Sequence, residues 1–258
     1  MRIAITRDVG PSLDHCELSF VPRATIDCAL AAAQHQAYRR ALSALGCRVI
    51  ALPAEPDLPD AVFVEDVAVV LDEVAVMTRP GAESRRAEVG TVATALAPLR
   101  PLLSIEAPGT LDGGDVLRTG RTLHVGCGRR SNTHGIEQLR ELLAPHGYEV
   151  RAVPTRDCLH LKSALTEVAD GVLLIQPAWI DASQFADFTL IEVDPAEAHA
   201  ANALRIGDEL IYPASFPRTA ARLAAAGFAT TRVDVSELQK AEAAVTCCSL
   251  VFDPLPAT

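Results

Sequence analysis

One pattern recurs five times along this chain, and it limits the folds open to it more than any single motif does. A short β-rich run leads through a polar loop and a helical stretch to a second β-rich run. RIAITR (2–7) leads through a helix near 30–45 to RVIALP (48–53). EVAVMTRP (73–80) leads through AESRRAEVGTVATAL (82–96) to LLSIEAP (102–108). RTLHVG (121–126), THGIEQLRELLAPHG (133–147) and EVRAVP (149–154) form the third unit. GVLLIQP (171–177) and TLIEVD (189–194) enclose only a short polar segment. ELIYPA (209–214), PRTAARLAAAG (217–227) and TTRVDV (230–235) complete the set. The helical stretches have their own signatures. Ile136, Leu139, Leu142 and Leu143 share one side of their helix, and Gly147 follows as a C-cap. The stretch 82–96 is bounded by Pro80-Gly81 and Pro98. Units repeating at roughly 35–50 residues point to a stacked or closed α/β architecture.

No linker is rich enough in Pro, Gly or Ser to divide the chain, so residues 1–258 read as one domain. With 258 residues, 49% of them apolar, a large core is attainable. A formal charge of −10 argues against a nucleic-acid partner and suits a small cationic ligand better. MRIAITR reads as a first strand, not a secretion signal, and no apolar run reaches the length of a membrane span. Seven scattered cysteines without a CxxC pair fit free thiols in a reducing cytoplasm better than a disulfide framework or a structural zinc site.

Between the units lie further β-rich pieces interrupted by polar residues. In PDAVFVED (59–66), Asp60, Glu65 and Asp66 bracket an apolar run, as strand-end turn residues or as carboxylates facing a cation. Adjacent side chains of a strand diverge, so Glu65 and Asp66 serve one ligand only if the strand ends or bends there. In GTLDGGDVL (109–117) two carboxylates flank a Gly-Gly pair, which forms a hairpin turn or brings Asp112 close to a bound molecule. It lacks the Lys-Ser/Thr ending of a phosphate loop. RPGAESRRAE (79–88) and GRRSN (128–132) present arginines, either solvated or gripping a carboxylate. His160 in CLHLKSAL (158–165) is a hydrogen-bonded semi-buried histidine or a general acid/base. In AVTCCSLVF (244–252), an extended backbone sends Cys247 and Cys248 to opposite faces. A disulfide between neighbours is strained.

PDAVFVED, RPGAESRR, LDGGD, RSNTHG, LHLKSAL and TCCSL, in that order and over most of the chain, resemble the dimethylarginine dimethylaminohydrolase family of the guanidine-modifying enzymes. The resemblance implies an α/β fold, a five-bladed propeller with pseudo-fivefold symmetry, in agreement with the five units. It implies Cys247 as nucleophile, with Cys248 behind it, and His160 as acid/base. Asp66 and Asp112 are then the carboxylates on the guanidinium, and Glu65 supports the histidine or the hydrogen bonding of the site. Arg85, in preference to Arg86, and Arg130 hold the substrate α-carboxylate. Asp60 and the backbone of Leu18 meet its α-amino group, under a flexible lid formed by residues 14–23.

The implied reaction hydrolyses an N-ω-methylated arginine to citrulline and an amine through a covalent S-alkylthiouronium, with no cofactor or metal. Zinc held by the cysteine, histidine and carboxylates would inhibit. Carboxylates near Cys247 disfavour its thiolate, so the cationic substrate itself is expected to lower that pKa. The alternatives are arginine deimination, hydrolysis of another small guanidine, or a non-catalytic binding protein on the same fold. The relatives implied are commonly dimeric, which makes a homodimer an expectation.

Overall fold

The computed structural model describes residues 1–255. Its strands form five three-stranded sheets. β1 (Ile3–Arg7) is followed by α1 (Cys28–Ala44) and β2 (Arg48–Leu52). β3 (Ala68–Val70) and β4 (Ala75–Met77) lead through a 3-10 turn, Glu83–Glu88, and α2 (Val89–Leu96) to β5 (Leu102–Ser104). β6 (Val116–Thr119), β7 (Thr122–Cys127), α3 (Thr133–Leu143) and β8 (Glu149–Pro154) repeat the order. After the single-turn helix α4 (Leu161–Ala164) come β9 (Leu165–Ala169), β10 (Val172–Ile175) and β11 (Thr189–Glu192), with only the 3-10 turn Ala182–Phe185 between the last two. The fifth unit is β12 (Leu204–Ile206), β13 (Glu209–Pro213), α5 (Pro217–Ala225) and β14 (Ala229–Val233). A short α6 (Ser236–Gln239) precedes β15 (Leu250–Phe252), which pairs antiparallel with β1 and completes the first sheet from the other end of the chain.

In every sheet the middle strand pairs antiparallel on one side and parallel on the other. The parallel partner lies beyond the crossover that returns the chain, as a parallel pair requires. The antiparallel partner is the inner strand. Inner strands of neighbouring sheets touch: β3 with β15, β6 with β9, β9 with β12. Together the five inner strands line an axial cavity of about 550 Å³. The molecule is a five-bladed α/β propeller. The segments 60–70, 114–120 and 244–252, which the sequence set apart from the five units, supply β3, β6 and β15. Two further inner strands, β9 and β12, lay outside those expectations.

The core is five clusters, one between each pair of neighbouring blades. Successive residues of a middle strand therefore enter different clusters. Ile3 and Ile5 face β4 and α2, while Ala4 faces α1 and the fifth blade. Leu210 and Tyr212 pack toward the fourth blade and Ile211 toward the first. A strand buried on both faces needs apolar residues at every position, and that accounts for runs such as EVAVM and GVLLI.

Candidate active site

Each inner strand is entered from a short irregular segment, and these segments meet at one end of the axis. Val64–Val67 is a 3-10 turn, not the strand the sequence suggested. It sends the two neighbouring carboxylates different ways. Glu65 accepts hydrogen bonds from Lys162 Nζ at 2.5 Å and Thr246 Oγ1 at 2.8 Å. Asp66 accepts from Gly114 N at 2.9 Å and Arg85 Nη1 at 2.5 Å, and its Oδ1 lies 3.8 Å from His160 Nδ1. Glu65 is therefore tied to Lys162 and to the residue before Cys247. The carboxylate bonded to the histidine is Asp112, its Oδ2 3.0 Å from His160 Nε2.

The Gly-Gly pair following Asp112 owes its composition to close approach. Neither glycine is among those with positive φ. A Cβ on Gly113 would enter the carbonyl oxygen of Glu65. One on Gly114 would stand 2.6 Å from His160 Nδ1 and 2.7 Å from Asp66 Oδ1. Asp115 is buried, accepting from Ser131 Oγ at 2.6 Å and Leu161 N at 3.0 Å. Ser131 Oγ also accepts from the backbone N–H of Asp112 at 3.1 Å. Asp115, Ser131, Lys162 and Thr246 were not singled out from the sequence. Lys162 and Thr246 fall inside the quoted LHLKSAL and TCCSL, and their bonding partners lie far away in the chain.

His160 is extended, at φ −135° and ψ 161°, and immediately precedes α4. Val245–Cys248 is a turn, so the extended geometry expected for AVTCCSLVF begins only at β15. The two thiols still differ, through the turn. Cys247 is half-buried and its Sγ accepts from Ala244 N at 3.5 Å. Cys248 is fully buried in the cluster beneath α1 and donates to Ala244 O at 3.5 Å. The carbonyl of Cys247 accepts from Glu65 N at 3.2 Å, which joins the first and second blades.

Arg85 and Arg130 are both buried at the site. Every nitrogen of the Arg85 guanidinium is engaged, by Glu88, Asp66 and the carbonyls of Asp60 and Phe63. Arg130 Nη1 lies 3.9 Å from Asp112 Oδ2, which leaves its guanidinium more open. Arg86 is turned outward, toward Pro80 O and Glu83. Asp60 accepts from Glu17 N at 3.1 Å, one residue before Leu18, whose side chain packs against the first cluster. The segment expected to act as a lid is tied down at several points. Glu242 accepts from the backbone N–H groups of Ser19, Phe20 and Val21, and Arg23 donates to the carbonyls of Asp14 and Cys16.

Burial and charge set the titration of these groups. Burial alone would lower the His160 pKa, but Asp66, Asp112 and Asp115 raise it to about 9. Burial opposes ionisation of Asp66, yet His160 and Arg85 hold it well below the usual carboxylate range. Burial pushes the Cys247 thiol up to about 12, reinforced by Glu65 and Asp66. Burial raises Glu65, with Lys162 opposing. At neutral pH the site thus favours the imidazolium of His160 and the neutral thiol of Cys247. Asp66, Asp112 and His160 also form a group whose ligand atoms lie within 4.8 Å of one another, close enough to converge on a metal ion, and Cys247 is not a member of it. Among the described residues, no helix is long and apolar enough to cross a membrane.

Residues 14–209 match the family model described as N,N dimethylarginine dimethylhydrolase, eukaryotic. The chain is 43% identical to the N(G),N(G)-dimethylarginine dimethylaminohydrolase of Streptomyces coelicolor, over 96% of this chain and 95% of that protein. It is 36% identical to the protein of that name from Pseudomonas aeruginosa, over 88% and 90% of the two chains. A crystal structure of a histidine-to-glycine variant of dimethylarginine dimethylaminohydrolase, as its adduct with S-methyl-L-thiocitrulline, superposes with a TM-score of 0.94 at 34% identity, covering 98% of this chain and 100% of that one. A cysteine-to-serine variant of the Pseudomonas aeruginosa enzyme complexed with citrulline superposes with a TM-score of 0.92 at 34% identity, covering 96% and 98%. With a matched fold, matched length and a family model spanning most of its residues, this chain belongs to the dimethylarginine dimethylaminohydrolase family.

Proposed function

We propose that this chain hydrolyses N-ω-methylated arginines, asymmetric dimethylarginine and monomethylarginine, to citrulline and dimethylamine or methylamine, with Cys247 as nucleophile. The observation that carries the reading is the imidazole of His160, bonded to Asp112 and flanked by Asp66, whose charge also acts on the Cys247 thiol. A guanidinium is resonance-deactivated, so attack on its carbon needs a thiolate and carboxylates that fix the cation. Asp66 and Asp112 are those carboxylates. Arg130 and Arg85 receive the substrate α-carboxylate, Arg130 through the more open guanidinium of the two. Asp60 and the backbone of Leu18 receive its α-amino group.

The bound cation offsets the carboxylate charge around Cys247 and lowers its pKa, and the thiol proton is released to solvent. The thiolate attacks the guanidino carbon and forms a C–S bond. His160, charged at neutral pH, gives its proton to the departing amine nitrogen as the C–N bond breaks. An S-alkylthiouronium remains on Cys247. Neutral His160 then takes a proton from water, and the hydroxide adds to the same carbon. The C–S bond breaks to release citrulline as the adduct's hydroxyl proton passes through solvent to the departing thiolate, which restores the neutral thiol of Cys247 and the charged His160. Glu65, bonded to Lys162 and Thr246, acts by holding the segment before the nucleophile. The same proposal has the five blades working as one domain, in the cytoplasm, where seven free cysteines are stable, and as a homodimer.

The test is citrulline formation from asymmetric dimethylarginine, monomethylarginine, arginine and agmatine, with Cys247→Ser as control. Turnover of the methylated arginines that is lost in Cys247→Ser supports the proposal. Turnover of arginine alone makes the protein a deiminase, and no turnover of any compound makes it a binding protein.

A further inference from the structure

Four of the five segments entering the inner strands carry groups already placed in the reaction: Glu65 and Asp66 before β3, Asp112 before β6, His160 before β9 and Cys247 before β15, each within five residues of its strand. The fifth, before β12, is AAN (200–202), and its one polar side chain is Asn202, buried among alanines.

Asn202 uses its whole amide. Its Oδ1 accepts from Thr246 N at 3.1 Å. Its Nδ2 donates to Thr246 Oγ1 at 2.9 Å and to Lys162 O at 2.9 Å. The orientation of the amide follows from this, because only an oxygen can accept from the Thr246 N–H. Thr246 Oγ1, accepting from Asn202, is left to donate to Glu65 Oε2 at 2.8 Å. One side chain thus grips both backbone and hydroxyl of the residue next to Cys247, and the carbonyl two residues after His160.

We infer that Asn202 is the fifth blade's contribution to the reaction, a positioning residue that fixes the nucleophile turn against the histidine segment. The inference rests on Cys247 and His160 as the reacting pair. No other residue type reproduces the contacts. Aspartate keeps one acceptor, loses both donors and adds charge beside Glu65, and leucine loses all three bonds. A buried support of this kind sets reacting groups to within fractions of an ångström, and its loss is felt in turnover more than in substrate affinity.

The experiment measures citrulline production by the full chain. Asn202→Ala is expected to lower kcat by about 30-fold, with KM moving less than about threefold. Thr246→Val is expected to lose kcat in the same way, and Thr246→Ser, which keeps the hydroxyl, to recover most of it. The Asn202→Ala/Thr246→Val pair should lose no more than the worse single variant, because both remove one linkage. Should Asn202→Ala not fold, Asn202→Asp, of equal size, takes its place with the same expected loss. Additive losses, or an Asn202 variant within threefold of wild-type kcat, overturn the inference. A wild-type protein that produces no citrulline overturns the proposed reaction, and this inference with it.

Discussion

Asp112 Oδ2 and His160 Nε2 lie 3.0 Å apart with both side chains buried, and Asp66 approaches the other ring nitrogen at 3.8 Å. The histidine is therefore favoured as a cation, which suits the proton donation that the proposed reaction asks of it first. Asp112→Asn removes that support at constant size. The His160 pKa should fall from about 9, moving the basic limb of the kcat–pH profile toward acid. A kcat loss of about 100-fold at pH 8 is expected. A basic limb left in place would sink the assignment.

The same raised pKa gives stability a pH dependence. The folded value of about 9 lies above the ordinary 6.5. The contribution is therefore complete below about 6.5 and is lost as pH rises through about 9. The excess melting temperature of wild type over His160→Gln should shrink across that window. Melting curves at intervals from pH 6 to 10 provide the check.

Burial and two carboxylates push Cys247 up to about 12. The difference in thiolate absorbance between wild type and Cys247→Ser should stay flat below about pH 10 without ligand. It should appear at lower pH when a non-reacting cationic guanidine analogue is bound. Cys248→Ala, altering only the buried neighbour, should keep kcat within about threefold.

Gly114 has no room for a methyl group, since a Cβ would stand 2.6 Å from the His160 ring and 2.7 Å from the Asp66 carboxylate. Gly114→Ala should displace the imidazole and lower kcat by at least about 30-fold. A variant with wild-type kinetics would place the ring elsewhere in solution.

Arg130 has the more open guanidinium of the two buried arginines near the site. Arg130→Leu should raise KM by at least about tenfold for dimethylarginine, with a smaller change in kcat. A loss confined to kcat would contradict a role in binding the α-carboxylate.

Much of the architecture is legible before any coordinates. Blade-length repetition and fully apolar middle strands follow from local pattern, since a strand buried on both faces must be apolar throughout. The inner strands β9 and β12 are harder to see because each is short and follows directly on a polar or alanine-rich segment. Cys247, His160, Asp66 and Asp112 are legible as chemistry-bearing residues from their motifs and from resemblance, but their pairing is not. Glu65 reads as support for the histidine or for the hydrogen bonding of the site, and the 3-10 turn at Val64–Val67 directs it to Lys162 and Thr246. AVTCCSLVF reads as extended, yet Val245–Cys248 is a turn, so the two thiols diverge for a different reason from the one alternation suggests.

Asn202 marks the boundary between the two kinds of information. One asparagine between alanines carries no motif, and nothing near it in sequence shares its contacts. The sequence alone determined which residue types each blade presents and how often the blade recurs, because periodicity and composition are local properties. Which carboxylate meets His160, why a Gly-Gly pair follows Asp112, and that Asn202 holds Thr246 were decided by closure of the propeller, when β15 returned to β1. Only then do residues as distant in sequence as Glu65 and Thr246, 181 positions apart, come within hydrogen-bond distance.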